Sequence, residues 1–308
     1  MLGIGLLGFW AIGRRQVPAA TLGFLSSLAI NIALPFLVLA NLLGDFSPQD
    51  FPDWWQMPLW WLGFTAISLV LSLGTSYIAR KETRGEFAIS LFYQNGLFFP
   101  LIILNGLFGL GNPYLVSLFL FMAVHPSMVF STYTLFFAGK MPEQKLNWSR
   151  IISPVTVATL IGMIVGLAAV KSYVPDFIFS ILTMVGAMAT PLFMLILGGN
   201  IYNDFIYKRE GQRRFDTGEV LKFVIIKNLV FPLIFIGLLI WLRPDTTIAF
   251  IILLQAAVPP ITAIPIFCDR CGGNRAIASQ FIVGSFVFSV ISIPVMVYLF
   301  RMFFSIPL

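Results

Sequence analysis

Three prolines sit near the middles of two long apolar runs, each with polar residues close by. The first run carries Tyr93-Gln94-Asn95-Gly96-Leu97-Phe98-Phe99-Pro100, and the second carries Gln255-Ala256-Ala257-Val258-Pro259-Pro260-Ile261-Thr262. A proline cannot donate to the carbonyl four residues back, so Pro100 releases the carbonyl of Gly96, Pro259 that of Gln255 and Pro260 that of Ala256. At bilayer depth such carbonyls need partners, and irregular backbone survives there only where protein buries it or water reaches it. A matched pair of breaks therefore reads as a binding site for a small solute. A single proline kink would read as packing alone.

Other chemistry is sparse. All 13 carboxylates fall in loops or at the ends of apolar runs, so tight coupling to Na⁺ or a proton through a buried Asp or Glu is not expected, although carbonyls and hydroxyls at a broken helix can hold Na⁺. The half-helices that follow a break present N-terminal ends with partial positive charge, which favours an anionic solute. Lys227 lies about seven residues into its run, roughly 10 Å from the start at ~1.5 Å per residue, deep enough to be an anion contact. Snorkelling to the interface is the favoured reading for Lys227, and more firmly for Lys222. His125, the only histidine, is expected to hydrogen-bond within the bundle rather than act as a proton switch. Cys268-Asp269-Arg270-Cys271 has CxxC spacing without a second ligand pair, so reduced, inert thiols are expected and no metal or cofactor. One histidine and no deep carboxylate do not make an enzyme.

The elements that must position these residues follow from composition. Of 308 residues, 58% are hydrophobic and 10% charged, against about 25% charged in soluble domains. The solvent for such a chain is lipid, and its +6 net charge follows topology rather than nucleic acid. Apolar runs predict ten spans, Met1–Ile12, Thr21–Leu43, Met57–Ile78, Phe87–Phe108, Tyr114–Phe137, Val155–Val170, Phe177–Ile201, Val220–Leu242, Thr247–Phe267 and Ile277–Phe300. The first, at 12 residues, is short for a ~30 Å hydrocarbon core. Met1 to Trp10 lacks the basic start and cleavage site of a secretory signal, so insertion is expected to rely on the spans.

Assigning loops alternately to two sides places fourteen Lys and Arg on one side, among them Arg80, Lys140, Lys145, Arg150, Lys208, Arg209, Arg213, Arg214 and Arg270. Lys171, Arg243 and Arg301 fall on the other. The bias puts both termini outside a cytoplasmic membrane and the loop Ala138–Ser153 inside. The loop Asp45–Gln56, with three Asp, no Lys or Arg, and Trp54-Trp55, fits the outer face.

Span two carries Ala33-Leu34-Pro35 and span seven Ala189-Thr190-Pro191, 156 residues later. Five spans per half is odd, so a second copy would enter from the opposite side, the plan of an inverted repeat. The expected organisation is residues 1–138 and 154–308 as two five-helix halves joined by a linker at 139–153.

The chain resembles the auxin efflux carrier family of bacterial permeases, relatives of plant PIN-type auxin carriers and, more distantly, of bile-acid sodium symporters. The likeness covers nearly the whole chain. It is strongest in Ala256-Ala257-Val258-Pro259, in Gly272-Gly273-Asn274 with Ala278-Ser279, and in Ser285 to Ser292 followed by Pro294, with support from the two Ala-x-Pro sites. It implies an all-α protein of ten spans in two inverted halves, spans four and nine crossing at their breaks beside the substrate, and transport of auxin-like or small dicarboxylate solutes. Span four departs from the family pattern. An Asn usual seven residues before this proline is replaced by Tyr93, the glycine places hold Asn95 and Phe98, and the phenylalanines suggest a bulkier contact surface.

The expected substrate-binding set is Tyr93, Asn95, Gly96, Pro100, Gln255, Ala257, Val258, Pro259, Pro260 and Thr262, with Asn31 and Pro35 from span two and Thr190 and Pro191 from span seven. Expected partners are a small, anionic solute and the lipid bilayer, not nucleic acid, with a homodimer left open. The rival readings are a sodium-coupled bile-acid-type symporter and a membrane sensor or scaffold that moves nothing. The longest cytoplasmic loops, Ala138–Ser153 and Tyr202–Gly218, are too short for output modules, which favours a carrier.

Overall fold

A computed structural model describes residues 2–18, 20–137, 153–169, 171–205 and 215–306. The basic residues Lys140, Lys145, Arg150, Lys208, Arg209, Arg213 and Arg214, on which much of the expected orientation rests, lie outside these. The described chain is helical, with no strand among the described residues. In order the helices are α1 (Leu2–Gly13), α2 (Thr21–Leu28), α3 (Leu34–Asp45), α4 (Gln56–Thr75), α5 (Arg84–Phe92), α6 (Phe98–Phe108), α7 (Tyr114–Phe121) and α8 (His125–Thr132). There follow α9 (Pro154–Leu167), α10 (Asp176–Ala187), α11 (Ala189–Phe205), α12 (Thr217–Ile225), α13 (Phe231–Leu242), α14 (Thr246–Ala257), α15 (Ile264–Arg270) and α16 (Arg275–Arg301).

Every apolar run read from the sequence holds helix. Among the described residues, five stretches are long and apolar enough to cross a membrane: Thr21–Asp45, Gln56–Ile78, Asp176–Asn203, Thr217–Leu242 and Arg275–Arg301. The remaining runs carry shorter apolar helices, including α1, α6, α9 and α14.

The chain forms two compact units. The first is Met1–Pro58, Leu101–Met128 and Trp148–Gly211, and the second is Leu59–Pro100, Val129–Asn147 and Gln212–Leu308. Each draws segments from both halves of the sequence.

In the first unit α1 packs along α11, and α3 packs against α9 and α10. The approach is close because small residues let backbones touch where lipid supplies no hydrophobic drive between helices. A Cβ on Gly198 would run into the backbone carbonyl of Gly5, and one on Gly186 would lie 2.7 Å from the Leu37 Cα. Prolines accompany irregularities in two spans here. The missing N–H of Pro35 and the clash of its ring with the preceding turn widen Ala29–Ala33 into a π turn between α2 and α3. Pro191 follows a break at Met188 between α10 and α11.

In the second unit Phe87 meets Phe223 and Phe281 edge-on while those two stack, at ring separations of 4.7 to 5.5 Å, tying α5, α12 and α16 together. Two carboxylates anchor this end. Glu219 accepts from the Arg80 backbone N–H, the Thr83 hydroxyl and the Lys222 ammonium, at 3.2, 3.1 and 2.8 Å. Glu86 accepts the Asn274 backbone N–H at 2.6 Å, while Asn274 in turn caps α16. Both glutamates sit at span ends as the sequence placed them, yet each is only 1% exposed. The expectation that no buried carboxylate exists is corrected to this extent: they are buried because backbone and basic groups fold over them.

The same packing accounts for Gly272-Gly273-Asn274. Gly272 adopts a φ of +66°, and a Cβ on Gly273 would lie 2.8 Å from the Glu86 carboxylate. In α16, the serines of the Ser285 to Ser292 stretch line a buried face, where Ser285 donates to the Asn228 side chain at 2.7 Å.

Candidate functional site

Within the second unit the two breaks meet. Helix α5 ends at Phe92 and α14 at Ala257, after which each chain runs extended and non-helical before α6 and α15 begin. The extended pieces pair as a single antiparallel bridge between Gln94 and Pro260. The Asn95 N–H donates to the Pro259 carbonyl at 2.8 Å, and the Ile261 N–H donates to the Tyr93 carbonyl at 2.9 Å. Each break thus supplies part of the backbone pairing that the other lost. Val258, before Pro259, is extended (ψ 151°), as the ring of a following proline requires.

The released carbonyls are taken up by protein. Gln255 donates from Nε2 to the Gly96 carbonyl at 2.7 Å, and Lys227 donates from Nζ to the Ala256 carbonyl at 3.3 Å. The partners that these two carbonyls were expected to need are side chains from within the unit, because an uncapped carbonyl at this depth is too costly. The expectation for Lys227 is corrected. It is 1% exposed and does not snorkel, since the π turn Ile226–Val230 ahead of Pro232 turns both Lys227 and Asn228 inward.

Polar capacity remains. The Oε1 of Gln255 is buried without a hydrogen-bond partner among the described residues. The Asn95 side chain, 5% exposed, makes no hydrogen bond to a described residue, its backbone alone being engaged. Tyr93, in the place where the family pattern has Asn, is fully buried, and its hydroxyl lies 2.6 Å from that of Thr132. Its ring packs on Phe92 and Phe136. Gly96, Pro100, Ala257, Val258, Pro259 and Pro260 are buried around the bridge, and Thr262 is exposed just beyond it.

Tyr93, Asn95, Gly96, Gln255, Pro259 and Pro260 are thus brought together. The four expected residues from spans two and seven belong to the first unit. Asn31 is exposed and donates to Ser27 within its own helix at 3.0 Å, Pro35 is buried and Pro191 half-buried. Thr190 is buried and accepts from Asn105 at 3.0 Å. Sequence reasoning did not name Asn105 or Thr132 as partners, and no local spacing would have found them.

Two other features are set apart by their chemistry. A pocket of about 380 Å³ in the first unit is lined by Asp45, Asp50, Phe51, Gly111 and Pro113, and its two carboxylates give it the wrong sign for an anion. Cys268 and Cys271 are buried free thiols, and burial pushes the Cys271 thiol up from its ordinary value. No group of three or more His, Cys, Asp or Glu side chains able to hold a metal exists among the described residues.

Five apolar helices of spanning length among the described residues, beside two apolar runs interrupted by a paired break, fit a multi-pass membrane protein. The chain belongs to the membrane transport protein family, whose sequence model matches residues 1–147 and 140–297. No curated protein matches the chain.

Proposed function

We propose that the protein is a secondary carrier that moves a small organic anion, auxin-like or a dicarboxylate, by alternating access at the crossing of spans four and nine. The observation that carries this reading is the exchange of backbone hydrogen bonds between the two breaks, Asn95 to Pro259 and Ile261 to Tyr93. Two helices interrupted at one point form an irregular crossing that packing alone does not require, and such crossings are the usual place for solute in carriers built of repeats.

The anionic character is supported by two features. Helix α6 begins at Phe98, immediately after the crossing, with its positive end there. No Asp or Glu occurs in residues 93–100 or 255–262 to repel an anion. The Asn95 amide is the group proposed to donate to the solute's carboxylate, and the unpaired Oε1 of Gln255, an acceptor, to take an N–H or O–H of the solute, with Tyr93 shaping an aromatic wall. The ten spans are proposed to form two inverted halves, 1–138 and 154–308, with both termini outside.

Counterflow in proteoliposomes, with a panel of small mono- and dicarboxylates in Na⁺-free buffer, tests the reading. Saturable exchange of at least one panel anion is expected. The absence of saturable exchange for every member would sink it in favour of a scaffold. Exchange that appears only with Na⁺ would move the chain to the sodium-coupled class.

A further inference from the structure

Lys227 places a basic side chain where none is needed to hold the fold. The π turn Ile226–Val230 brings it inside the second unit, 1% exposed, with Nζ 3.3 Å from the Ala256 carbonyl and 5.4 Å from the centre of the Phe231 ring. No carboxylate among the described residues pairs with it. Of the two buried glutamates of this unit, Glu219 is engaged by Arg80, Thr83 and Lys222, and Glu86 takes the Asn274 N–H. An ammonium buried without an anion costs several kcal/mol, and only one of its three donors is used.

Capping a carbonyl does not require that charge. In the same crossing the Gly96 carbonyl is capped by a neutral amide, Gln255, at the shorter distance of 2.7 Å. The ammonium sits on Ala256, the next residue along, at the carbonyl released by Pro260. A buried basic side chain beside the break with no carboxylate partner among the described residues points to an anion that completes the pair.

We propose that Lys227 is the counter-charge for a carboxylate of the transported solute at the break in span nine. The proposal rests on the carrier reading above and deepens it: the ammonium holds the Ala256 carbonyl with one N–H and presents the others to the carboxylate. Selectivity then lies in charge, so a carboxylate is held and its amide is not.

The test is ligand-induced thermal stabilisation of the purified full chain, with each carboxylate of the counterflow panel paired with its own amide. The wild type is expected to respond to at least one acid and not to its amide. Lys227→Gln keeps a donor for Ala256 but removes the charge, and it is expected to weaken that acid's apparent affinity about tenfold to a hundredfold. Lys227→Met, a second neutral variant of similar length, covers the case in which the Gln variant does not fold, and Lys227→Arg is expected to retain the preference for acid over amide. An unchanged acid preference in either neutral variant overturns the role of Lys227 while leaving the carrier intact. A wild type that neither responds to nor exchanges any panel acid overturns the anion reading and this proposal together.

Discussion

Prolines interrupt helices in both units, with different results. In the first unit Pro35 widens one turn, Ala29–Ala33, and Pro191 follows a break at the single residue Met188, so the chain continues almost at once as helix. In the second unit five residues, 93–97, and six, 258–263, lie outside the helices, and the two segments pair through one bridge, Gln94 with Pro260. The difference lies in the neighbours. Helix α3 starts directly on Leu34-Pro35, where proline's fixed φ suits a first turn, whereas Val258 is followed by two prolines and Asn95-Gly96 disfavour helix. One kind of break shapes packing; the other leaves polar groups with unused capacity.

Substitutions that break or sharpen this contrast rank by expected effect. Gly198→Ala places a methyl against the Gly5 carbonyl, a backbone group that cannot swing aside. It is expected to destabilise the first unit by about 1–3 kcal/mol or more, as overpacking does, seen as a lowered unfolding midpoint without ligand. Solute preference should persist in whatever protein folds. A midpoint equal to wild type would show that α1 and α11 are less closely packed than described.

Gln255→Ala acts on the other kind of break. It strips the Gly96 carbonyl of its cap, and leaving a buried acceptor unsatisfied costs about 1–3 kcal/mol. Both thermal stability and apparent solute affinity should fall, because Gln255 serves the crossing with Nε2 and the site with Oε1. A loss of stability with unchanged affinity would confine Gln255 to a structural role.

Ser68→Ala is expected to do least. Ser68 is 1% exposed on α4 and its hydroxyl has no partner among the described residues, so nothing is lost with it. Stability should stay within about 0.5 kcal/mol of wild type or rise slightly, and flux should be unaltered. A large drop would mean that this hydroxyl has a role in transport.

The sequence shows what local chemistry dictates. Every apolar run holds helix, and Pro100, Pro259 and Pro260 mark the breaks in two of them within a few residues. What it does not show depends on contacts between distant residues. The cap on Gly96 comes from 159 positions away and the partner of Glu86 from 188. Reading forward from Pro100, the Gly96 carbonyl looks free; only the crossing brings Gln255 to it. Lys227 failed for a related reason, since its depth was legible but the π turn that rotates it inward follows from Pro232, five residues on. The motif Gly272-Gly273-Asn274 was legible as a resemblance and acquired a physical meaning only against Glu86.

The central claim is that the paired break makes the site. Changing Pro259 and Pro260 together to Ala restores two backbone donors, so α14 can continue and the extended segment facing Gln94 can be lost. Proteoliposome flux and ligand-induced thermal stabilisation measured on this double variant test the claim most directly. The account predicts a protein that inserts and unfolds at or above the wild-type midpoint, with flux and ligand response reduced at least about tenfold, equivalent to roughly 1.4 kcal/mol. Wild-type flux and a wild-type ligand response would contradict it and reduce the crossing to a feature of packing.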